Sequence, residues 1–226
     1  MKLLIYGGHE EEIIDLAKKS GFEIVKKNPE MVASYGGDGT FMKAEKDFPE
    51  IPKFAIKRSK ICKKCYDIPT EEIFKKIASK EYEIIDEIKL EIASKKGKKI
   101  VGLNEIVIHN NEPRRAIRYE IFINDKKGRD EIIGDGVVIS TPHGSTGYYR
   151  SITDSFFEVG IGVAFNNSTE QSDHMVIKED SKIRIKIIRG QAIAYADNNP
   201  EEIILDDGDE ILIKKYKKTA KIIKLM

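Results

Sequence analysis

Asp38, framed by glycines in residues 35–40, is the part of this sequence best suited to chemistry on a phosphate. Gly36, Gly37 and Gly39 lack a Cβ, so the backbone there can adopt angles closed to other residues and bring its N–H groups close to a ligand. Asp38 would then face that ligand. The alternative is a tight turn in which Asp38 caps the next helix. For a Gly-Gly-Asp-Gly motif taken alone, this alternative and the ligand-binding interpretation have about equal weight.

The residues on either side of the motif predict the elements that position it. Residues 31–35 are apolar enough for a short strand, and residues 41–46 have a helix-forming composition. The N-terminus of a helix presents unpaired N–H groups and partial positive charge, both of which favour phosphate. The glycine motif is therefore predicted to lie at a strand-to-helix turn.

Asn104 and Glu105 form a second candidate site. An amide beside a carboxylate offers hydrogen-bond donors and acceptors to a polar ligand. On a strand the two side chains point to opposite faces, so the backbone should bulge or end there if both contact a ligand. In isolation, an exposed strand pair is favoured by about four to one.

A third candidate is the polar stretch 141–148, which follows the β-branched run 137–139 and is predicted to be the loop after a buried strand. Pro142 ends the strand ladder, the glycines permit a tight backbone, and the hydroxyls supply short hydrogen-bonding groups. A plain Ser/Thr/Gly turn is the alternative. A long polar loop inside a compact domain is more often functional.

Taken in order, these stretches make the chain resemble the NAD kinase family. The matching stretches are 36–40, 104–105, 134–148 and 194–198, and the similarity covers most of residues 30–215. The most specific part is 134–148. NAD kinases transfer the terminal phosphoryl group of ATP, or in some members of inorganic polyphosphate, to the 2′-hydroxyl of the adenosine ribose of NAD. The product is NADP.

The resemblance implies a role for each matching residue. Asp38 is the expected catalytic residue, next to the accepting ribose hydroxyl, and Asn104 and Glu105 hold NAD from the opposite side. The pocket for the adenine is shaped by Ser145, Thr146 and Tyr148, and Asp135 contacts a ligand. The residues implied in substrate binding, besides Asn104 and Glu105, are Gly36, Gly37, Gly39, Thr40, Asp135, Thr141, Ser145, Thr146, Tyr148 and Asp197.

The implied reaction needs positioning and charge neutralisation more than covalent chemistry, because phosphoryl transfer passes through a loose transition state. An ionised Asp38 would orient the hydroxyl and take its proton late. Mg²⁺ is expected, mostly bridged through donor phosphates, with unknown protein ligands. The partners expected are NAD and ATP, in a homo-oligomer, either dimer or tetramer. The sequence does not distinguish ATP from polyphosphate as the phosphoryl donor, nor NAD from NADH as the acceptor.

Two other functions compete with this interpretation. A lipid kinase of the diacylglycerol or sphingoid type shares a Gly-Gly-Asp-Gly turn, but the loop 144–148 and the lack of a membrane-binding segment count against it. A non-catalytic NAD(P)-binding module is suggested by residues 57–65 and 165–176, which depart from the family's pattern. The basic stretch 57–65 either receives a phosphate-rich donor or is a solvated surface loop.

The apolar pattern predicts an α/β plus all-β architecture. Strands alternating with helices over residues 1–80 indicate a small N-terminal α/β domain with a parallel sheet, which carries the Gly-Gly-Asp-Gly turn. From residue 81 the pattern changes to many short strands separated by turns. Residues 81–226, including the run 220–225, are therefore predicted to form a C-terminal β-sandwich domain that binds NAD.

Bulk properties narrow the class of protein. The 226-residue chain carries a net charge of +1, which argues against a dedicated nucleic-acid binder. No apolar run approaches the ~18 residues of a membrane span, and the N-terminus lacks a signal-peptide pattern. We expect a soluble, cytoplasmic protein with no membrane partner.

Cys62 and Cys65, the two cysteines of the chain, form a Cys-X-X-Cys motif. A redox pair and half of a zinc site are both open interpretations. There is no second pair, and the four histidines show no ligand spacing in the sequence. A free, oxidisable pair on a loop is the favoured interpretation.

Overall fold

A computed structural model of the chain describes residues 1–60, 62–95, 97–128, 130–169 and 173–226. The two stretches that depart from the family's pattern, 57–65 and 165–176, are therefore described only in part, because Ile61 and residues 170–172 lie outside these ranges. Packing divides the chain into two compact units, Met1–Glu87 with Thr219–Met226, and Ile88–Lys218. Within the described residues, no helix combines the length and the apolar character needed to cross a bilayer.

The helices and strands follow one another along the chain in a fixed order. In order they are β1 (Lys2–Tyr6), α1 (Glu11–Lys19), β2 (Glu23–Ile24), β3 (Met31–Gly36), α2 (Asp38–Asp47), β4 (Lys53–Lys57), α3 (Thr70–Ala78), β5 (Tyr82–Glu87), β6 (Leu90–Ser94), β7 (Lys99–Gly102), β8 (Glu105–Asn110), β9 (Ile117–Ile123), β10 (Lys126–Lys127), β11 (Ile132–Gly134), β12 (Gly136–Ser140), α4 (Tyr148–Thr153), β13 (Ile161–Asn166), β14 (His174–Ile177), β15 (Ile183–Arg189), β16 (Ala192–Ala196), β17 (Glu202–Leu205), β18 (Glu210–Lys215) and β19 (Ala220–Leu225).

The first unit is built on a sheet with the strand order β2-β1-β3-β4-β19-β5. All neighbouring strands of this sheet run parallel to each other except the pair β19 and β5, which is antiparallel. Successive residues of a strand face opposite sides of the sheet. Leu3 of β1 accordingly packs in a core with residues of α1 and α3, whereas Leu4 packs with Ala44 of α2. Apolar cores therefore lie on both faces, as a parallel sheet requires.

This arrangement confirms the predicted α/β architecture, but it places the end of the chain differently from the sequence-based prediction. The sequence pattern predicts the run 220–225 as part of the β-sandwich, whereas β19 lies between β4 and β5 in the first sheet. Ile223 is buried in the core of the first unit. The compact units divide after Glu87 and after Lys218. The predicted domain boundary between residues 80 and 81 stays a prediction.

The second unit consists of two antiparallel sheets. One has the strand order β10-β9-β15-β18-β6-β7, with β11 also paired to β9, and the other has the order β14-β13-β12-β8-β16-β17. Isoleucines of both sheets, such as Ile106 of β8 and Ile185 of β15, share one large apolar core. The predicted β-sandwich is confirmed, and the run 137–139 is a buried strand as expected.

We expect the hydroxyl of Tyr6 to titrate well above an ordinary tyrosine. Burial, and then its hydrogen bond to the Asp47 carboxylate, raise the pKa of Tyr6 to about 12. Because the folded-state pKa is raised, the protonated hydroxyl stabilises the fold below pH ~10, and that contribution is lost as the pH rises through 12. Tyrosinate absorbance of the wild type minus that of Tyr6→Phe should show a transition near pH 12. A transition near pH ~10 would contradict this assignment.

Candidate functional site

Asp38 lies at the predicted strand-to-helix turn. β3 ends at Gly36, Gly37 is the N-cap residue of α2, and Asp38 is the first helical residue. A Cβ on Gly36 would lie 2.3 Å from the Oγ1 atom of Thr40, so the missing side chain lets Thr40 pack against the turn. Within the described residues α2 has no side-chain cap, so the alternative role of Asp38 as a helix cap is wrong.

The Asp38 carboxylate instead faces the loop that follows β4. Its Oδ2 atom accepts a hydrogen bond of 3.1 Å from the backbone N–H of Lys63, and its Oδ1 atom accepts one of 3.0 Å from Lys64. The Sγ atom of Cys62 lies 3.3 Å from Oδ1. That contact is not a hydrogen bond, because Cys62 is joined to Cys65 by a disulfide and its sulfur carries no hydrogen.

The disulfide corrects the interpretation of Cys62 and Cys65 as a free pair. Their Cα atoms lie 5.5 Å apart, within the range that a disulfide spans without backbone movement. The Cys-X-X-Cys spacing permits this separation but does not dictate it. The oxidised state depends on how the loop turns in front of Asp38, which the sequence alone does not specify.

A cleft of about 560 Å³ opens beside the same turn, next to the end of β1. Its lining includes Gly7 and Gly8 from the loop after β1, together with Thr40, Lys43 and Asp47 of α2. A hydroxyl and an ammonium group on one helix are suited to phosphate oxygens. Gly7, Gly8 and Lys43 were not predicted from the sequence, although a Gly-Gly pair directly after an apolar strand is the same signal as Gly36-Gly37.

In the second unit, Asp197 organises the backbone around Asn104 and Glu105. Its carboxylate accepts hydrogen bonds from the N–H groups of Leu103 (2.8 Å), Asn104 (2.8 Å) and Glu105 (3.1 Å). β8 begins only at Glu105, so Asn104 lies in the turn before the strand. The two side chains are therefore not forced to opposite faces of one strand, which is the condition for both to contact a ligand.

The polar loop 141–148 packs against this turn. The Thr141 hydroxyl donates to the carbonyl of Leu103 at 2.7 Å and accepts from the N–H of Gly144 at 3.0 Å. A Cβ on Gly144 would lie 2.2 Å from the carbonyl oxygen of Asn104, so only glycine fits there. The buried Ser145 hydroxyl lies within hydrogen-bond distance of two carbonyl oxygens. Thr141 and Ser145 thus shape the loop through contacts with the protein itself.

The hydroxyls of Tyr148 and Tyr195 lie in the electrostatic field of nearby carboxylates. Tyr148 accepts a hydrogen bond of 3.1 Å from the side-chain amide of Asn166. Burial, followed by the charges of Asp135 and Glu105, raises the pKa of the Tyr148 hydroxyl. Burial, followed by Tyr148 and Glu105, also raises the pKa of Tyr195. Tyr195 was not predicted, and its place in an alternating strand gave no signal of its own.

Asn104 and Thr146 are two further predicted residues of the second unit. The Oδ1 atom of Asn104 is buried and accepts no hydrogen bond among the described residues. Buried acceptors are usually satisfied, so this atom suits a donor on a ligand. Thr146 is half-buried in the loop. Of the predicted residues, the glycine motif with Asp38 and Thr40 lies in the first unit, and all the others lie in the second.

One group of possible metal ligands occurs among the described residues. Single ligand atoms of His9, Glu11 and Glu12 lie within 4.8 Å of one another, although the histidine spacing gave no sign of it. All three side chains are exposed, and Glu12 also accepts a 3.1 Å hydrogen bond from Arg58. That bond is the largest of the effects that lower the pKa of Glu12.

Comparison with known proteins identifies the family. The model for the ATP-NAD kinase C-terminal domain matches residues 103–225, more than half of the chain. A bifunctional NADP phosphatase/NAD kinase of Methanococcus maripaludis is 30% identical over 205 residues, which cover 84% of this chain and 36% of that protein. An NAD kinase of Methanothermobacter thermautotrophicus is 27% identical, over 95% of this chain and 78% of its own.

The fold of this chain is also similar to that of a solved structure. The crystal structure of an NAD kinase from Archaeoglobus fulgidus in complex with ATP matches 100% of this chain and 94% of its own, with a TM-score of 0.82 and 22% identity. The structural likeness shows the common fold, and the family model, which matches more than half of the chain, shows that this chain belongs to the NAD kinase family.

Proposed function

We propose that this chain is an NAD kinase that transfers the terminal phosphoryl group of ATP to the 2′-hydroxyl of the adenosine ribose of NAD. The observation that carries the proposal is the carboxylate of Asp38 at a glycine-framed strand-to-helix turn, beside a cleft that offers Thr40 and Lys43. Family membership supports it. The lipid kinase and the non-catalytic binding module find no comparable support.

Asp38 acts on the nucleophile. Its carboxylate accepts the hydrogen bond of the ribose hydroxyl, aims the oxygen at the phosphorus atom, and takes the proton as the new bond forms. In a loose transition state the nucleophile needs little activation, so orientation is the larger part of this role. We assign the donor phosphates to the cleft, where the hydroxyl of Thr40, the ammonium of Lys43 and the backbone of Gly7 and Gly8 face them.

The second unit supplies the contacts to NAD in this proposal. The buried Oδ1 atom of Asn104 accepts from a donor such as an adenine amino group, and Glu105 accepts from a ribose hydroxyl. We place Tyr148 and Asp135 beside the same ligand, because the charges of Asp135 and Glu105 both act on the Tyr148 hydroxyl and raise its pKa. Asp197 and Thr141 hold the backbone that carries these groups.

Mg²⁺ belongs to the proposal as the ion that neutralises charge on the donor phosphates. The cleft offers oxygen groups of the kind that Mg²⁺ prefers, among them the Asp47 carboxylate and the Thr40 hydroxyl. We also propose a homo-oligomer in the cytoplasm, on the family resemblance. Polyphosphate remains the alternative donor.

The test is to incubate the purified chain with NAD, Mg²⁺ and either ATP or polyphosphate, under reducing conditions, and to detect NADP with an NADP-specific dehydrogenase. We expect NADP with ATP, and its loss when a chelator removes the cation. NADH in place of NAD tests the acceptor. If neither donor yields product although NAD binds, the non-catalytic module becomes the better description.

A further inference from the structure

The disulfide between Cys62 and Cys65 lies directly against the carboxylate to which the proposed function gives the catalytic role. Cys62 touches the Oδ1 atom of Asp38 at 3.3 Å, and Cys65 lies 3.9 Å from the carbonyl oxygen of Gly36 in the glycine motif. The two residues enclosed by the disulfide, Lys63 and Lys64, donate both backbone hydrogen bonds to Asp38. The disulfide therefore closes the loop that holds this carboxylate.

These contacts occupy about half of the Asp38 carboxylate's hydrogen-bonding capacity and crowd one of its two oxygens. A carboxylate has about four lone-pair directions. Two accept the backbone N–H groups of Lys63 and Lys64, and the sulfur of Cys62 lies beside the oxygen that Lys64 already uses. In the oxidised protein, Asp38 is thus poorly placed to orient a hydroxyl.

Resting on the proposed function, we propose that Cys62 and Cys65 form a reversible thiol–disulfide site that controls Asp38. The oxidised form keeps the loop closed on the carboxylate and lowers turnover. A dithiol reductant opens the disulfide, the loop regains its conformational freedom, and the two N–H groups leave Asp38 to the substrate. The disulfide lies on a half-buried loop, within reach of another protein or a small dithiol.

The exchange balances without any further reactant. A thiolate of the dithiol attacks one sulfur of the disulfide, forming a mixed disulfide and releasing the other cysteine, which takes a proton. The second thiol of the reductant then closes its own disulfide and releases the first cysteine. Two electrons and two protons pass to Cys62 and Cys65.

The test compares the oxidised and the dithiol-reduced full chain, with thiol titration confirming a difference of two thiols per chain. We expect the reduced form to turn over NAD faster by on the order of tenfold, short of the 10²–10⁴-fold expected for losing a general base. Cys65→Ala and the double variant Cys62→Ala/Cys65→Ala should match the reduced wild type under both conditions. Alanine is chosen because serine at position 62 would bring a new donor to Asp38.

Amide hydrogen exchange gives a readout that does not depend on turnover. The N–H groups of Lys63 and Lys64 should exchange faster after reduction, and in Asp38→Ala they should exchange fast in both states. The N–H of Gly190, which donates to the Asp207 carboxylate at 2.8 Å in the second unit, is the matched control and should not respond.

The outcomes separate this proposal from the proposed function. Equal turnover of both redox forms, or slower turnover of the reduced form, overturns the switch while leaving the kinase intact. If neither form makes NADP, the proposed function fails, and exchange at Lys63 and Lys64 decides whether the disulfide still governs access to Asp38. Unchanged exchange on reduction overturns the proposal whatever the activity.

Discussion

Replacing Asp38 with asparagine is expected to lower kcat by about 10²–10⁴-fold with little change in the KM for NAD. Asparagine keeps the size of the side chain and one acceptor oxygen, so the ribose can still bind. The asparagine side chain accepts no proton and carries no charge, so a carboxylate no longer orients the ribose hydroxyl toward the phosphorus atom. The loss should therefore fall on the transition state, which a measurement of kcat and KM under reducing conditions would detect.

The variant needs a control for fold and for charge. Asp15 is an exposed acid on α1 of the same unit, so Asp15→Asn removes one negative charge away from the turn and should leave kcat unchanged. Melting temperatures of both variants would show whether the loop contacts of Asp38 contribute to stability. If Asp38→Asn keeps kcat within a few-fold of the wild type, Asp38 has no part in the chemistry.

The surroundings of Asp38 illustrate what local sequence predicts. The strand, the turn and the helix from Met31 to Asp47 all follow from neighbouring residues: an apolar run, glycines, then helix formers. Such signals depend on backbone preferences within a few residues, so the sequence contains them in full. The same reasoning extended to Gly7 and Gly8 would have located the cleft at the end of β1.

Contacts between distant residues were not predictable in this way. The strand β19 has an ordinary apolar pattern, and only its pairing with β4 and β5 assigns it to the first sheet. Likewise, the contact between the Cys62–Cys65 disulfide and Asp38 depends on the path of a loop. No local propensity encodes either pairing, because each is decided by which distant surfaces pack together.

Asp197 is the residue whose role most needed the structure. The family resemblance gave it as a substrate-binding residue, and that assignment stays a prediction. The structure adds three hydrogen bonds from its carboxylate to the backbone at Leu103, Asn104 and Glu105, more than ninety residues away in sequence. These bonds make Asp197 a positioning residue for the turn that presents Asn104 and Glu105.

Replacing Asp197 with alanine should lower the free energy of unfolding by about 3 kcal/mol, because three buried or half-buried N–H groups lose a charged acceptor. The turn would relax, and the KM for NAD should rise by roughly tenfold or more with a smaller change in kcat, as expected when contacts common to ground and transition states are lost. Chemical denaturation and steady-state kinetics on the same preparation measure both effects.

Asp197→Asn is the informative companion of this variant. Its Oδ1 atom can still accept from Asn104 and Glu105, but its Nδ2 group then faces the N–H of Leu103, donor against donor. Stability and NAD affinity should therefore both fall, by less than in the alanine variant. Asp180, an exposed acid of the second unit, supplies the charge control Asp180→Ala, which should change neither. A positioning role requires the two losses to move together, whereas a weaker KM with unchanged stability would mean that Asp197 contacts NAD directly and holds nothing.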